Sequence, residues 1–315
     1  MAKNKIQFQQ GMSLMKFIER YGTEEKCSHR LFLQRWPNGF VCPKCGHTEF
    51  YSLTTRCLFQ CRTCRYQSSL ISGTIFSSSK LPLTLWFLAI YLITQSKDGL
   101  SSLNLTRLLG ISYNSTLRMK HKLLQVMKDA DDTLQLTGLV EVDDVYWGGK
   151  RPGGKRGRGA SGKVPFLAAI SRNEKGRPVH MRLSRVASFT SEEITRWSRK
   201  HINREAVVLT DGFNAFQGIS ESDLVHIPVV MTERYKDPDN KLFLWTNTMI
   251  GNVKKSLHGT YHAVSQKHLP RYLAEFSYRF NRRFNLEKMV DNLVFHAANS
   301  KPIPQHRLKL AEDWW

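Results

Sequence analysis

Three oxygen-bearing side chains of this chain could together bind a divalent metal ion. Asp143 lies in the apolar stretch GLVEVDDVYWGG, Asp211 follows the apolar run AVVLT, and Asn247 lies in TNTMIGNVKKSLHGTYH. The step from Asp143 to Asp211 is 68 positions, and 35 residues lie between Asp211 and Asn247. Lys254 follows 7 positions later, about two helical turns of ~3.6 residues and hence on the same helix face as Asn247. Carboxylate and amide oxygens are the ligands that Mg²⁺ accepts.

Each of these residues has an alternative reading. Asp144 competes with Asp143, because neighbours in a strand point to opposite faces and only one of the two is expected to face a given site. Asp211 could be a turn residue before Gly212, and Asn247 could cap a helix. The joint spacing favours the metal site over these separate roles.

A second candidate metal site is formed by cysteines. Two C-x2-C pairs, with 15 residues between them, are made by Cys42, Cys45, Cys61 and Cys64. Two such pairs complete a closed tetrahedral shell for a structural Zn²⁺. The remaining cysteines, Cys27 and Cys57, are expected to be ordinary small buried residues.

The charge of the chain indicates its class of partner. Its 315 residues carry 47 Lys and Arg against 26 Asp and Glu, a formal net charge of +21, and hydrophobic residues make up 41%. A field of this sign favours nucleic acid first and acidic membranes second. The start of the chain does not resemble a secretion signal, and the most apolar run, residues 81–93, is shorter than the ~20 residues of a membrane span. A soluble intracellular protein is therefore expected.

Helical patterns follow the cysteines. Pro82 can open a helix with Trp86, Phe87, Ile90 and Ile93 on its apolar face. A short helix ending at Leu109, the turn residue Gly110 and a second helix from Tyr113, capped by Ser112, resemble a helix-turn-helix. The basic residues of the second helix proposed to contact DNA are Arg118, Lys120 and Lys122.

From residue 138 the pattern becomes strand-like. The stretches 164–171 and 178–186 read as two further strands joined by a turn at Asn173–Gly176, a helix capped by Ser191 follows, and residues 206–213 contain a buried strand. This order is that of an RNase H-like sheet, although periodicity alone gives only a mixed α/β domain. The helix at 268–283 is expected to bury Leu269, Tyr272, Leu273, Phe276 and Phe280 and to expose Arg271, Arg279, Arg282 and Arg283.

A glycine-rich basic segment, residues 150–163, leaves the first strand of this domain soon after Asp143. It holds six basic residues and five glycines without an acid, a composition typical of a flexible loop that contacts phosphates. Lys155, Arg156 and Arg158 are its candidate DNA-contacting residues.

Taken together, these motifs resemble those of a known family, the zinc-ribbon DDE transposases of bacterial insertion sequences, and in particular its ISXO-two-like group. The resemblance covers nearly the whole chain and is carried by RWPNGFVCPKCG, GTIFSSSKLPL, LGISY, VEVDDVYWGG, VLTDG, GTYH and RYLAEFSYRFNRR. It implies a multidomain α/β protein with a zinc ribbon, a helix-turn-helix-like segment and an RNase H-like catalytic core with a mixed sheet. The expected divisions are 1–80, 81–135, 136–300 and a tail at 301–315.

The resemblance also implies an activity. The chain is expected to bind the terminal inverted repeats of an insertion sequence and to carry out metal-dependent strand cleavage and transfer into target DNA. Two Mg²⁺ or Mn²⁺ ions are expected, with Asp143 bound to both, Asp211 to one and Asn247 to the other, while Lys254 contacts DNA. A homodimer or larger assembly on DNA in the bacterial cytoplasm is implied. His262 of GTYH is expected to pin a turn rather than to act in catalysis.

One rival hypothesis stays open at this point. Subgroups of the family place Asn at the third acidic position, as this chain does at Asn247. A DNA-binding regulator or domesticated remnant without cleavage activity would also lack this acid. The retained aspartates and Lys254 argue for the enzyme.

Overall fold

The computed structural model describes residues 10–148, 162–229 and 242–309. These form two compact units: the chain up to Met127 together with Arg282–Lys309, and Lys128–Asn281. The first unit thus joins the predicted zinc ribbon, most of the helical segment and part of the predicted catalytic domain. It differs in this from the four divisions that the sequence suggested.

The first unit begins with two helices and a small sheet. Helix α1 (Leu14–Tyr21) and helix α2 (Glu24–Arg35) are capped by Ser13 and Thr23, whose hydroxyl oxygens accept from the backbone N–H of the third residue of each helix. The strands β1 (Phe50–Leu53), β2 (Leu58–Cys61) and β3 (Gln67–Ser69) form an antiparallel sheet in that order. Its small core packs Trp36, Phe40, Phe50 and Phe59 beside the cysteines.

Three helices follow at the predicted places: α3 (Leu83–Gln95), α4 (Ser102–Leu109) and α5 (Tyr113–Ala130). The predicted apolar face of α3 is buried. Helix α4 ends at Gly110, whose φ of 66° is in the left-handed region that glycine adopts without strain. Ser112 accepts a hydrogen bond from the backbone N–H of Ser115, which begins α5 as predicted.

The prediction that Lys120 and Lys122 of α5 contact DNA is wrong for this conformation. Both side chains are buried. Their ammonium groups donate to backbone carbonyls, Lys120 to Leu100 at 2.5 Å and Lys122 to Ile75 at 2.7 Å. Burying an ammonium is costly unless it is hydrogen-bonded, so these lysines hold the turns before α3 and α4 rather than a phosphate.

The first unit is completed by a late part of the chain, α10 (Met289–Asn299) and α11 (Gln305–Lys309). Helix α10 buries an apolar face against α2 and α3. Asp291 on α10 accepts from the Tyr21 hydroxyl at 2.6 Å and from Arg30 Nε at 2.8 Å. On α11, the side-chain oxygen of Gln305 accepts a hydrogen bond from the exposed Arg118 at 2.6 Å.

The second unit is built on a five-stranded mixed sheet. Its strands are β4 (Leu139–Trp147), β5 (Val164–Arg172), β6 (Pro178–Arg185), β7 (Val207–Thr210) and β8 (Val225–Pro228). The spatial order is β6-β5-β4-β7-β8. Strand β5 is antiparallel to both β4 and β6, whereas β7 is parallel to β4 and β8 is parallel to β7. The strand and helix order predicted from the sequence is confirmed.

Helices cover this sheet on both faces. Val140 and Val142 of β4 join a core with Ile194 and Trp197 of α6 (Ser191–His201), and α7 (Gln217–Ser220) lies beside α6. The alternate residues of β4 belong to the opposite face, where α8 (Leu244–Ser256) packs on β4 and β5 and α9 (Leu269–Asn281) packs on β6.

Two local predictions in this unit are wrong. Helix α6 is capped by Thr190 rather than Ser191, with the Thr190 hydroxyl accepting from Glu193 N–H. On α9, Arg271 and Arg279 are buried rather than exposed. The helix contains a fully buried carboxylate, Glu275, 3.6 Å from Arg279, so the charge of this arginine is compensated inside the protein instead of facing solvent.

Within the described residues, none of the helices combines the length and the apolar character that crossing a bilayer requires.

Candidate functional site

The four predicted zinc ligands lie together in the first unit. Their sulfur atoms all lie within 4.8 Å of one another, and the Sγ–Sγ distances from Cys42 to Cys64 and from Cys45 to Cys61 are both 3.6 Å. A tetrahedron with Zn–S bonds of ~2.3 Å has edges of about 3.8 Å. The cluster therefore has the size and the donor set of a closed structural zinc site.

The backbone prepares this cluster for a cation. Gly46 N–H donates to Cys42 O and Arg65 N–H donates to Cys61 O, which closes a tight turn at each cysteine pair. Burial raises the pKa of the Cys42 thiol, but N–H donors of Cys45 and Lys44 and the neighbouring thiols outweigh it and lower that pKa to about 6. At Cys42 the thiolate, the form that binds zinc, is thereby favoured. At Cys45 the N–H of His47 lowers the pKa, but the neighbouring thiols and burial outweigh it and raise that pKa to about 12.

The other two cysteines stand apart from the cluster. Cys27 is fully buried, as predicted, and its thiol donates to the carbonyl of Tyr21. Cys57 is exposed, which contradicts the prediction that it is buried. It occupies a left-handed turn, with φ of 50°, between the first two strands of the ribbon, where a side chain points away from the small core.

A group of three carboxylates forms in the second unit. Asp143 and Asp144 come from β4 and Asp211 directly follows β7, and one oxygen of each lies within 4.8 Å of the others. The strands β4 and β7 are parallel and pair Glu141 with Leu209, so Asp143 and Asp211, each two residues further on, lie side by side just beyond the paired stretch. The structure thus brings Asp143 and Asp211 together across 68 positions of sequence.

The participation of Asp144 was not expected. Strand alternation predicts that Asp143 and Asp144 point to opposite faces. However, β4 pairs with β7 only from Leu139 to Glu141. Beyond Glu141 that edge of β4 carries no partner strand among the described residues, so adjacent side chains can both reach around the edge to one point.

Asp211 serves the turn and the cluster at once. Its Oδ1 accepts from the backbone N–H of Phe213 at 3.1 Å, and Gly212 between them has φ of 78°. The turn role that sequence reasoning offered as an alternative is therefore present, and it holds the carboxylate in place toward Asp143 and Asp144.

Burial and mutual repulsion make it unfavourable for all three carboxylates of the cluster to be ionised at once. Burial raises the pKa of Asp143, the charges of Asp144 and Asp211 raise it further, and the result is about 6 even though the N–H of Asp144 and the charge of Lys254 act in the opposite direction. A divalent cation bound among the carboxylates would relieve this repulsion. Hard carboxylate oxygens suit Mg²⁺ and Mn²⁺.

The raised pKa of Asp143 predicts that the carboxylate cluster lowers the free energy of unfolding by an amount that depends on pH. An unfolded Asp titrates near 3.9, so below that pH Asp143 is protonated in both states and adds nothing. As the pH rises toward 6, only the unfolded state releases its proton freely, and the free energy of unfolding falls. Asp143→Asn, measured by urea unfolding in a chelator, should be more stable than the parent by on the order of 2 kcal/mol at pH 8. The difference should nearly vanish at pH 4.

A matched control is Asp223→Asn, which removes the charge of an exposed aspartate at a left-handed position, φ 61°, that Asn tolerates. It should show no comparable gain between the two pH values. A stabilisation of the Asp143 variant that is equal at pH 4 and pH 8 would mean that charge repulsion is not its cause.

Helix α8 carries the remaining predicted residues. Its N-cap is Phe243, with φ of 59°, so Asn247 lies inside the helix and its alternative role as a cap is excluded. Asn247 is exposed. Lys254 is on the same helix and its charge lowers the pKa of Asp143, which puts its ammonium within electrostatic range of the carboxylates.

The segment after α8 is held by contacts on both sides. The chain forms a π-helical turn over Leu257–Tyr261, a feature that is frequent at functional sites. The His258 ring lies 4.7 Å from that of Trp147, at the end of β4. The Tyr261 hydroxyl donates to Glu275 at 2.7 Å. Tyr261, rather than the exposed His262, therefore pins this turn to α9.

Comparison with known proteins finds two transposase domains in this chain. A family model described as an ISXO2-like transposase domain matches residues 135–281, and one described as a transposase zinc-ribbon domain matches residues 22–67. The chain thus contains a transposase zinc-ribbon domain followed by an ISXO2-like transposase domain. The domain match includes all three clustered aspartates, and the ribbon match includes all four clustered cysteines.

Two further similarities were found for this transposase. It is 24% identical over 279 residues to the "Uncharacterized protein in transposable element ISH50" of Halobacterium salinarum, covering 83% of this chain and 92% of that one. It also matches a chain of the "Crystal structure of a pre-cleavage Mos1 transpososome" at 9% identity, covering 63% of this chain and 77% of that one with a TM-score of 0.21. The second likeness is too distant to support a structural argument.

The transposase contains one buried residue that sequence reasoning overlooked. Glu141 is fully buried on β4, and it contacts both the sheet and α8 through Arg172, Phe243 and Thr246. The signal was present: Glu141 is an acid between Val140 and Val142 in an apolar strand. The candidate loop residues Lys155, Arg156 and Arg158 lie outside the described residues.

Proposed function

We propose that this protein is an active DNA transposase that cuts the ends of its insertion sequence and joins them to target DNA in an RNase H-like catalytic domain. The observation that carries the proposal is the convergence of Asp143, Asp144 and Asp211 within 4.8 Å, with the charge of Lys254 acting on the same site. The strand order β6-β5-β4-β7-β8 supports the RNase H-like assignment.

The cluster is suited to hold divalent cations. When bound, two Mg²⁺ or Mn²⁺ ions ~3.5–4 Å apart would activate the attacking oxygen and stabilise the leaving oxygen of a phosphodiester. Asp143 would contact both, Asp211 would contact one, and Asn247 would offer a neutral amide oxygen to the other. Asn247 is neutral and supplies no charge to the cations. Asp144 would supply the third negative charge of the site, beside those of Asp143 and Asp211.

Lys254 would act on the substrate. Its ammonium shares the α8 face that carries Asn247 and interacts electrostatically with Asp143. A phosphodiester that approaches the carboxylates needs a positive group on its far side, and a Lys ammonium is a compact, mobile point charge for this purpose. We infer that Lys254 orients the scissile phosphate and reduces its repulsion from the carboxylates.

Binding of DNA is supported by exposed cations in the first unit. On the zinc ribbon, the guanidinium groups of Arg62 and Arg65 lie 4.9 and 5.8 Å from the exposed ring of Tyr51, an arrangement that suits phosphates and sugars. Arg118 is exposed near the start of α5, where a recognition helix contacts bases. With the net charge of +21, these groups favour a long polyanion.

The experiment that tests this function uses Asn247. Asn247→Ala removes the amide oxygen and should abolish metal-dependent cleavage of the element's own terminal repeats while DNA-end binding stays close to that of the parent. Asn247→Asp restores a carboxylate beside the cations, so it should keep activity and lower the Mg²⁺ concentration needed for half-maximal cleavage. Both are read from cleavage of labelled end fragments over a Mg²⁺ or Mn²⁺ titration.

Asn252→Ala is the matched control, because Asn252 is exposed on the same helix but ~140° around it from Asn247 at ~100° per residue. It should cut like the parent. If Asn247→Ala also cuts like the parent, the amide is not a ligand. If the parent fails to cut its own ends with either metal, the alternative function applies, a DNA-binding regulator without cleavage activity.

Assembly and location follow from the same proposal. Two element ends must be cut in one event, so we propose at least a homodimer on DNA. The protein would work in the bacterial cytoplasm, associated with the nucleoid while bound to DNA.

A further inference from the structure

Glu141 is a buried carboxylate that the proposed chemistry does not use. It lies two residues before Asp143 on β4, and alternation places both on the same face of the strand, toward α8. Its side chain is 0% exposed. Taking a carboxylate out of water costs several kcal/mol unless it is well paired and hydrogen-bonded, so the contacts of Glu141 indicate what it does.

Three donors from two elements satisfy this carboxylate. Its Oε1 accepts from the backbone N–H of Phe243 at 3.2 Å and pairs with Arg172 Nη1 at 3.1 Å. Its Oε2 accepts from the Thr246 hydroxyl at 2.6 Å. Arg172 belongs to β5, the strand beside β4, whereas Phe243 and Thr246 are at the start of α8.

The start of α8 lacks a cap of the usual kind. The N-cap residue is Phe243, whose hydrocarbon side chain cannot accept a hydrogen bond, although helix starts leave several N–H groups to be satisfied. An acid at this end also interacts favourably with the helix dipole. Glu141 therefore takes the capping role, but it does so from the strand that carries the aspartates, 102 positions earlier in sequence.

This contact fixes one element of the site to another. Thr246 is directly followed by Asn247, and Lys254 lies two turns along the same helix. The position and rotation of the first turn of α8 on β4 determine where both side chains are relative to Asp143. Because Glu141 bonds to that turn at two points, Phe243 and Thr246, it restrains both the rotation of the turn and its distance from β4.

We propose that Glu141 is a positioning residue that sets Asn247 and Lys254 against the aspartate cluster by capping α8 from β4. The proposal rests on the proposed function for the roles of Asn247 and Lys254, but the capping contact itself is independent of catalysis. Its disruption should loosen the first turn of α8, weaken metal binding and leave DNA-end binding intact.

The test removes the contact by two routes. Thr246→Val keeps the shape of the side chain and removes only its hydroxyl, and Glu141→Gln replaces one accepting oxygen by a donor. Thr248→Val is the matched control: it is the same change on the same helix, but the Thr248 hydroxyl bonds to Leu244 O within the helix. Mn²⁺ binding to the DNA-free protein, followed by electron paramagnetic resonance, and hydrogen exchange of the Trp245 to Asn247 amides are measured in all variants.

Thr246→Val should raise the Mn²⁺ concentration for half-saturation about threefold and Glu141→Gln about tenfold, with faster exchange at the start of α8. The Mn²⁺ requirement for cleavage should shift in parallel, whereas Thr248→Val should match the parent. Parent-like exchange and Mn²⁺ binding in both Glu141→Gln and Thr246→Val would overturn the positioning role. A parent that binds Mn²⁺ but never cuts would instead refute the proposed function, and the exchange result would still decide the role of Glu141.

Discussion

Asp143→Asn is expected to abolish strand cleavage while making the metal-free protein more stable. The proposed site already has one neutral ligand in Asn247, so a second amide at the position shared by both cations would remove charge where it is most needed. We expect a loss of at least about a thousandfold, or about 4 kcal/mol of transition-state stabilisation. The same substitution relieves the repulsion that raises the pKa of Asp143 to about 6.

These opposite effects on activity and stability make the result easy to interpret. Loss of activity through unfolding would lower the melting temperature, whereas here it should rise at pH 8 in a chelator. Cleavage is measured on labelled element ends in Mn²⁺, with end binding by gel shift as the internal reference and Asp223→Asn as the control. Cleavage within tenfold of the parent would show that Asp143 is not a shared ligand and would direct attention to Asp144.

Cys45→Ser is expected to remove the zinc, unfold the ribbon and reduce specific end binding by at least about a hundredfold. The ribbon depends on only a few aromatic residues, such as Trp36 and Phe59, for its core, and structural zinc contributes apparent free energies of about 10–16 kcal/mol to domains of this kind. Losing one of four thiolates should therefore outweigh what the aromatic core can supply. The second unit, which has its own core around Val140 and Trp197, should remain folded.

Cys57→Ser provides the comparison for this variant. Cys57 lies in the same ribbon but is exposed and outside the sulfur cluster, so its substitution should leave zinc content and end binding at the parental level. Zinc per chain is measured by elemental analysis of the purified protein. One zinc per chain in Cys45→Ser, or a zinc-depleted Cys57→Ser, would contradict the four-cysteine assignment.

The residues that sequence reasoning located correctly are those whose position follows from local rules. The cysteine pairs need only a tight turn each, and their spacing is sufficient to predict the cluster that the structure contains. Asp143 and Asp211 are adjacent in space because the parallel strands β4 and β7 pair Glu141 with Leu209, and each aspartate follows its paired residue by two positions. The end of α4 and the start of α5 were predicted from single residues, because Gly110 terminates the first helix and Ser112 caps the second.

The residues that it missed depend on tertiary partners. The helix pattern cannot distinguish a lysine facing solvent from Lys120, whose partner is the carbonyl of Leu100. Asp144 joins the cluster because β7 ends early, which the alternation rule does not anticipate. Glu141 is buried between apolar residues because Arg172 and α8 supply its donors, and neither is near it in sequence.

The origin of the first unit in both halves of the chain has a consequence for how the protein is made. Helix α10 packs on α2 and α3 and binds Tyr21 and Arg30 through Asp291. It leaves the ribosome only after Lys128–Asn281 of the second unit has been synthesised. A nascent or truncated chain that stops before Arg282 exposes the apolar surface that α10 covers. The first unit can therefore be completed only late in translation, and gene fragments that encode only the amino-terminal half should yield unstable products.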